Sequence, residues 1–512
     1  MITEINMSSW LRYISEVLAS VILIPFALII LLLLYLKPFR VDPSVPGPKR
    51  TPFVGVLFNE ASEIFSEGFG WDQWPSLSLV LSRRFKFQTW GGPTLNIGFG
   101  GAMFNIVSPD CLRHVLKDNF NNYEKGKLSK SLHELFGEAA FTTDGDEWKF
   151  HRRIAVSFLN KEASNYSCKI LLRKLEGLVP FFDDKVKFEE TFDLQSLFRQ
   201  LTMDVYLELG FGLDMINIGE TDIRIFANAL DEIQSLIHDR FVDLLWEVKQ
   251  WFVVGDREKR IKMCSRIIHD FSDRVIGEAK IKSTGRLDLV SRYLQYHRET
   301  TKVDPSNKEL RNFVISMIIG GRDTTAAGIT WTFYELSKNP TVVQKVRQEL
   351  NEFSINKNSF SIDVIHKLKY TLAVVMEALR LHPPAPESFR FARKDDILPD
   401  GTMIPAKSLV MFSINSINNS DQVWEDPITF NPNRFFNQKN PSAFHFTTFS
   451  AGPRVCPGQS LALKEILICV AFLLSRYDFI DVQRHDGSFK WALVMSMKNG
   501  FQVNVKKYHR KE

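Results

Sequence analysis

The chain has 512 residues, 45% hydrophobic and 24% charged, with a formal net charge of +5. These are globular values, and so small a charge without a long basic run argues against nucleic acid as a partner. Its five scattered cysteines, Cys111, Cys168, Cys264, Cys456 and Cys469, form no Cys-x-x-Cys pair, which argues against a disulfide framework, a zinc site and c-type haem attachment.

The length suggests two or three domains or one large one. Phe occurs 42 times, above the 11 Tyr and 10 Trp combined. Phe fills apolar space without needing a hydrogen-bond partner, which fits a protein that encloses a large apolar molecule; a Phe-biased proteome would look the same.

From Val17 to Leu36 run twenty residues without a charge, about 30 Å as a helix and long enough to cross a bilayer. A cleaved signal peptide is the competing reading. Against it stand the length of the run, Glu4 and Glu16 before it, and the lack of a small-residue cleavage site. Lys37, Arg40, Lys49 and Arg50 follow the span and only Arg12 precedes it, so the bulk of the chain is expected in the cytosol. Residues 1–16 then form a lumenal tail, 17–36 a transmembrane anchor, 37–50 a basic linker rich in Pro and Gly, and 51–512 the globular domain. The sequon Asn6-Met7-Ser8 lies too close to the membrane for much modification. Val45-Pro46-Gly47-Pro48 makes a stiff joint.

Phe85 to Val107 alternates apolar and polar residues and predicts a small antiparallel sheet with tight turns. Gly98-Phe99-Gly100-Gly101 lacks the spacing of a nucleotide-binding loop and is expected to be a turn. After Ser108-Pro109 the pattern is mostly helical up to Pro383, and 286–304 is expected to be a polar surface connection. Strand-like pieces return at Thr402 to Phe412 and near the C-terminus. The longest helix is predicted over Asn307 to Lys338, about 48 Å. Gly320-Gly321-Arg322-Asp323-Thr324-Thr325 stands at its middle. Two interior glycines cost about 1 kcal/mol each relative to Ala. They mark either close approach of a ligand to the backbone or close packing on another helix.

Near the C-terminus, Phe449-Ser450-Ala451-Gly452-Pro453-Arg454-Val455-Cys456-Pro457-Gly458 precedes a helical run from Ser460 to Leu474. A thiolate just before a helix N-terminus is stabilised by unpaired N–H groups and the helix dipole. Gly452 and Gly458 let the backbone wrap closely around the sulfur, Phe449 is placed to cover it, and Arg454 supplies a cation suited to a carboxylate. A lone Cys is ordinarily a buried small hydrophobe, which is the expectation for Cys469.

On Phe449, Gly452, Arg454, Cys456 and Gly458, matching F-x-x-G-x-R-x-C-x-G, the chain resembles the cytochromes P450. Gly320 to Thr325 resembles the family's oxygen-activation motif. Glu377-Ala378-Leu379-Arg380 resembles E-x-x-R, Asn431-Pro432-Asn433-Arg434-Phe435 the P-x-R-F segment, and Trp148-Lys149-Phe150-His151-Arg152 the W-x-x-x-R motif. The likeness runs from Pro46 nearly to the end. It implies a mainly α fold with small β-sheets behind an N-terminal transmembrane helix. It implies haem b with Cys456 as the axial iron ligand in the loop of Phe449, Gly452 and Gly458. Trp148, Arg152, Arg454 and Arg390 are then candidates for the propionates. Asp323 and Thr324 would be the acid–alcohol pair that supplies protons, and Glu377, Arg380 and Arg434 a buried structural network. Electrons would come from NADPH through a separate NADPH–cytochrome P450 reductase, with cytochrome b5 a further candidate and Lys464 near the docking face. The expected place is the endoplasmic reticulum membrane, with membrane lipid and a small apolar substrate as further partners.

Asn122 to Gly126, Asp144 to Trp148, Asp395 to Thr402 and Met497 to Gly500 are similar to the fatty-acid omega-hydroxylase branch. They imply hydroxylation of long-chain fatty acids at or near the terminal methyl. Ile417-Asn418-Asn419 stands where that branch has Met-Gly-Arg, and Gly320 stands where some relatives carry a Glu that esterifies haem, so no such ester is expected. Alkanes, sterols and terpenoids stay open as substrates. A haem-thiolate isomerase or lyase would typically lose the helix Thr and distort the Cys loop, both intact here. A non-catalytic haem-binding protein would not need Asp323 and Thr324.

Overall fold

The computed structural model describes residues 90–93, 102–212, 220–243, 246–281, 288–355, 360, 362–436, 441–490 and 492–509. The expected anchor, linker and Gly98–Gly101 turn lie outside the described residues. Among the described residues no helix is long and apolar enough to cross a membrane.

Helices dominate, and eight of them position the site: α1 (Gly145–Phe158), α2 (Lys161–Gly177), α3 (Leu194–Phe211), α4 (Glu220–His238), α5 (Asp256–Ile281), α6 (Asn307–Lys338), α7 (Lys369–Leu381) and α8 (Gln459–Leu474). The axis of the molecule is α6. Its start is set by a capping box, in which Ser306 Oγ accepts from the Glu309 N–H and Glu309 reaches back to the Ser306 N–H. Buried residues cover nearly all its faces, as expected of a helix surrounded by others. It packs on α3, α5, α7 and α8.

Five strands form the larger sheet: β1 (Trp90–Pro93), β2 (Ala102–Ile106), β3 (Tyr123–Glu124), β4 (Glu387–Ala392) and β5 (Leu409–Ser413), in the order β1-β2-β5-β4-β3. The expected antiparallel pair is present, with Trp90 opposite Asn105. The sheet as a whole is mixed, because β2 runs parallel to β5 with Met103 opposite Leu409. Pairing between segments so far apart in the chain leaves no local turn signal. A smaller sheet joins Phe192–Asp193, Gln502–Lys507 and Tyr477–Asp481.

The stretch from 286 to 304 corrects the expectation of a polar connection. Asp288 caps a helix over Leu289–Thr301 by accepting from the Ser291 N–H at 2.8 Å. Leu289, Val290, Tyr293, Leu294 and His297 are buried. Their i, i+3/i+4 spacing makes an apolar stripe that the high polar content of the segment masks.

Candidate active site

The loop before α8 is built around Cys456. The Cys456 N–H donates to the Phe449 carbonyl at 2.8 Å, and the Val455 N–H donates to the Gly452 carbonyl at 3.0 Å. Gly452 has φ +68, and a Cβ there would stand 2.0 Å from the Leu116 carbonyl oxygen, so only glycine fits. Gly458 is the N-cap residue of α8. Phe449 is half-buried and lies at the end of an aromatic row, 6.2 Å from Phe446.

Cys456 is exposed, yet protein atoms around it push its thiol pKa up. A sulfur that solvent reaches from one side but that lies deep among protein atoms sits in a recess. The N–H groups of Gly458 and Gln459 and the Arg152 cation pull the other way. They do not overcome burial, so the helix-terminus effect expected from the sequence is present but outweighed. A metal cation would deprotonate such a thiol outright. Cys469 is fully buried.

Beside the recess stands a group of cations that have too few partners. Arg454 Nη2 donates to Asp144 Oδ1 at 2.6 Å and to the Thr143 carbonyl at 3.0 Å, and its guanidinium lies 4.4 Å over the Trp148 ring. Its Nε and Nη1 are buried without a hydrogen bond, as is Nε of Arg390. Arg390 is 2% exposed. Burial and the neighbouring Arg454 push its pKa down to about 9, and burial takes Arg454 down to about 10. Lys125 is held well below its usual value by burial, Arg390 and Arg454. The one carboxylate among them, Asp144, already accepts from the Lys125 and Gly126 N–H groups. Stranded buried donors call for an anion. A macrocycle with two carboxylates, set over a thiolate ligand, meets that demand, so the residues fit haem. Arg152 is half-buried, with the Cys456 charge in reach. Lys125 and Asp144 were not singled out as site residues from sequence, although both lie in stretches noted there for their likeness to relatives.

On α6, the partly accessible positions between Asn312 and Leu336 are Met317, Gly320, Gly321 and Thr324. Their spacing is one helix face. Phe141, 44% exposed, approaches Gly320: a Cβ there would lie 3.3 Å from its ring. Gly321 lies at the edge of that face against α3, where a Cβ would stand 2.0 Å from the Tyr206 ring. The two alternatives for the glycine pair therefore divide: Gly321 serves helix packing and Gly320 borders the open face.

Thr324 Oγ1 donates to the Gly320 carbonyl at 2.7 Å. Asp323, 6% exposed, turns toward α4 and accepts from Gln234 Nε2 at 3.0 Å. Its Oδ1 lies 3.0 Å from Arg322 Nη1 and 3.9 Å from Arg199 Nη2. The two side chains are neighbours with separate partners and are not hydrogen-bonded to each other. Glu377 and Arg380 are both fully buried and doubly bonded, at 2.7 and 2.8 Å, with Arg434 Nε 3.2 Å from Glu377. Arg380 also donates to the carbonyls of Asn418 and Pro427. Lys464 Nζ donates to Ser164 Oγ at 3.1 Å.

Residues 71–505 match the family model described as Cytochrome P450. Cytochrome P450 94B1 of Arabidopsis thaliana is 30% identical over 519 aligned residues, covering 96% of this chain and 98% of that protein. Cytochrome P450 704B1 of the same plant is 28% identical, covering 90% and 94%. Alkane hydroxylase MAH1, also from that plant, is 29% identical, covering 81% and 86%.

Proposed function

The chain belongs to the cytochrome P450 family, and from that premise we propose that it hydroxylates long-chain fatty acids at or near the terminal methyl. Membership makes it a monooxygenase that uses thiolate-ligated haem and takes electrons from a reductase partner. The observation that carries the catalytic assignment is the conjunction of the Cys456 recess with the stranded donors of Arg454 and Arg390. Bound there, haem supplies oxygen activation, to which a thiolate ligand contributes electron density.

Cys456 supplies that ligand. Arg454, Arg390, Arg152 and Lys125 hold the acidic edge, with Trp148 as the platform under Arg454. Phe449 screens the sulfur, and Gly452 and Gly458 shape the loop. Glu377, Arg380 and Arg434 brace the segments behind it. Thr324 presents a hydroxyl on the open face of α6, and Asp323 is the acid that renews its proton. Met317, Gly320 and Phe141 give that face an apolar lining, which suits a hydrocarbon chain and excludes water. The substrate class rests on the likeness of the Asn122–Gly126, Asp144–Trp148, Asp395–Thr402 and Met497–Gly500 stretches to the fatty-acid branch. A relative named for alkane hydroxylation makes alkanes the second reading. NADPH–cytochrome P450 reductase is the proposed donor, with cytochrome b5 as an auxiliary. The endoplasmic reticulum membrane is the proposed location, anchored through 17–36.

The test is product analysis with reductase, NADPH and a panel of fatty acids, alkanes and sterols. Terminally hydroxylated fatty acids are expected; turnover of sterols or alkanes alone overturns the substrate class. In the same assay Thr324→Ala is expected to consume NADPH while forming little product, and full coupling in that variant removes the role given to the hydroxyl.

A further inference from the structure

Glu465 has no part in the chemistry assigned above. It sits on α8, is 1% exposed, and touches three other helices. Ser167 of α2 donates to its Oε1 at 2.6 Å, and Tyr206 of α3 donates to its Oε2 at 3.0 Å. Thr325 of α6 lies close enough to ease ionisation of both Glu465 and Tyr206, although its Oγ1 meets no hydrogen-bond geometry. The other titratable groups facing it are Cys168 of α2 and Cys469 of α8, both raised by burial and so neutral. Lys464 points its ammonium at Ser164 instead. Among the described residues no cation lies within ion-pair distance of Glu465. A buried carboxylate held by hydroxyls alone is poorly compensated, and burial takes its pKa up to about 7.

Its position connects the two halves of the site. Tyr206 fills the space that Gly321 leaves open on α6. Burial above all, then the charge of Glu465 and last that of Cys456, makes the Tyr206 phenol harder to ionise. One side chain thus lies within electrostatic reach of both the haem ligand and this carboxyl. An electron added to a low-dielectric interior raises the energy of every anion nearby. The anion with no cation beside it is the one that is most readily neutralised.

We propose that Glu465 is the proton acceptor linked to reduction of the bound haem. One electron arrives from the reduced flavoprotein and one proton from solvent forms an O–H bond on Glu465, so the core gains no net charge. The idea rests on the haem-thiolate assignment, and its test separates the two. The haem-loaded full chain, without substrate, is titrated for its midpoint potential from about pH 5 to about pH 9, a range that brackets a group near neutrality. The wild-type potential is expected to fall as pH rises through neutrality, and in Glu465→Gln to stay level there. The reduced-minus-oxidised infrared spectrum is expected to gain a protonated-carboxyl band in wild type and to lack it in Glu465→Gln. Tyr206→Phe removes a donor to the carboxylate and is expected to move the pH-dependent window upward. It also keeps the idea testable if Glu465→Gln does not fold. Parallel potential curves for wild type and Glu465→Gln, or an unmoved window in Tyr206→Phe, overturn the proposal. Absence of a thiolate-type carbon monoxide spectrum in wild type overturns the haem-thiolate assignment instead.

Discussion

Arg454 shows how one residue comes to depend on a partner the polypeptide does not supply. Its guanidinium is pinned by Asp144 on one side and by the Trp148 ring below, which leaves Nε and Nη1 aimed away from both and unsatisfied. A buried charge with half its donors stranded costs several kcal/mol until an anion arrives. Arg454→Met is therefore expected to weaken haem retention, and to do so more than it destabilises the apoprotein. The ratio of haem absorbance to protein after gel filtration checks this, and full occupancy would mean that Arg454 is satisfied elsewhere. Arg380 is the contrasting case: Glu377 and backbone carbonyls use up its donors, so it needs no ligand.

At the scale of elements, α6 carries two demands that conflict in an ordinary helix. It must pack against α3 and also keep a face open. The glycine pair resolves this, because Gly321 admits the Tyr206 ring and Gly320 faces only the edge of the half-exposed Phe141 ring. Gly321→Ala is expected to lower stability by about 1–3 kcal/mol through overpacking against a ring that has nowhere to move. Gly320→Ala is expected to leave stability near wild type or slightly higher, given the better helix propensity of Ala. Urea midpoints of the two variants decide it, and equal midpoints would show that α3 and α6 separate easily. The capping box at Ser306 sets where α6 begins and so the register of everything along it, Thr324 included.

Over the whole molecule, buried titratable groups set the response to pH. His238, at the end of α4, is held down to about 4 by burial, against 6.5 for a free imidazole. The unfolded chain therefore binds more protons than the folded one between these values, and stability falls as pH drops below about 6.5. The loss levels off near pH 4 at about 3 kcal/mol. Glu465 acts in the opposite sense, since its raised pKa favours the folded state at low pH. His238→Gln is expected to remove the acid-side loss, so that after subtraction of their neutral-pH difference wild type falls below the variant as pH drops under about 6. Identical acid profiles in urea titrations would rule His238 out as the cause.

Local signals were enough for α6, α8 and the Cys456 loop, because caps, glycines and apolar spacing act within a turn or two of the residues that carry them. Cys456, Arg454 and Trp148 were legible as candidates from motifs of that kind. The helix over Leu289–Thr301 was not, since its apolar stripe is narrow and its composition polar. The parallel pairing of β2 with β5, the closure of Asp144 on Lys125 and Arg454, the turn of Asp323 toward Gln234, and the burial of Glu465 were decided only by the tertiary structure. Each joins segments far apart in the chain, and burial, which sets both their charge states and their unmet hydrogen bonds, is a property of the packed molecule and not of any stretch of sequence.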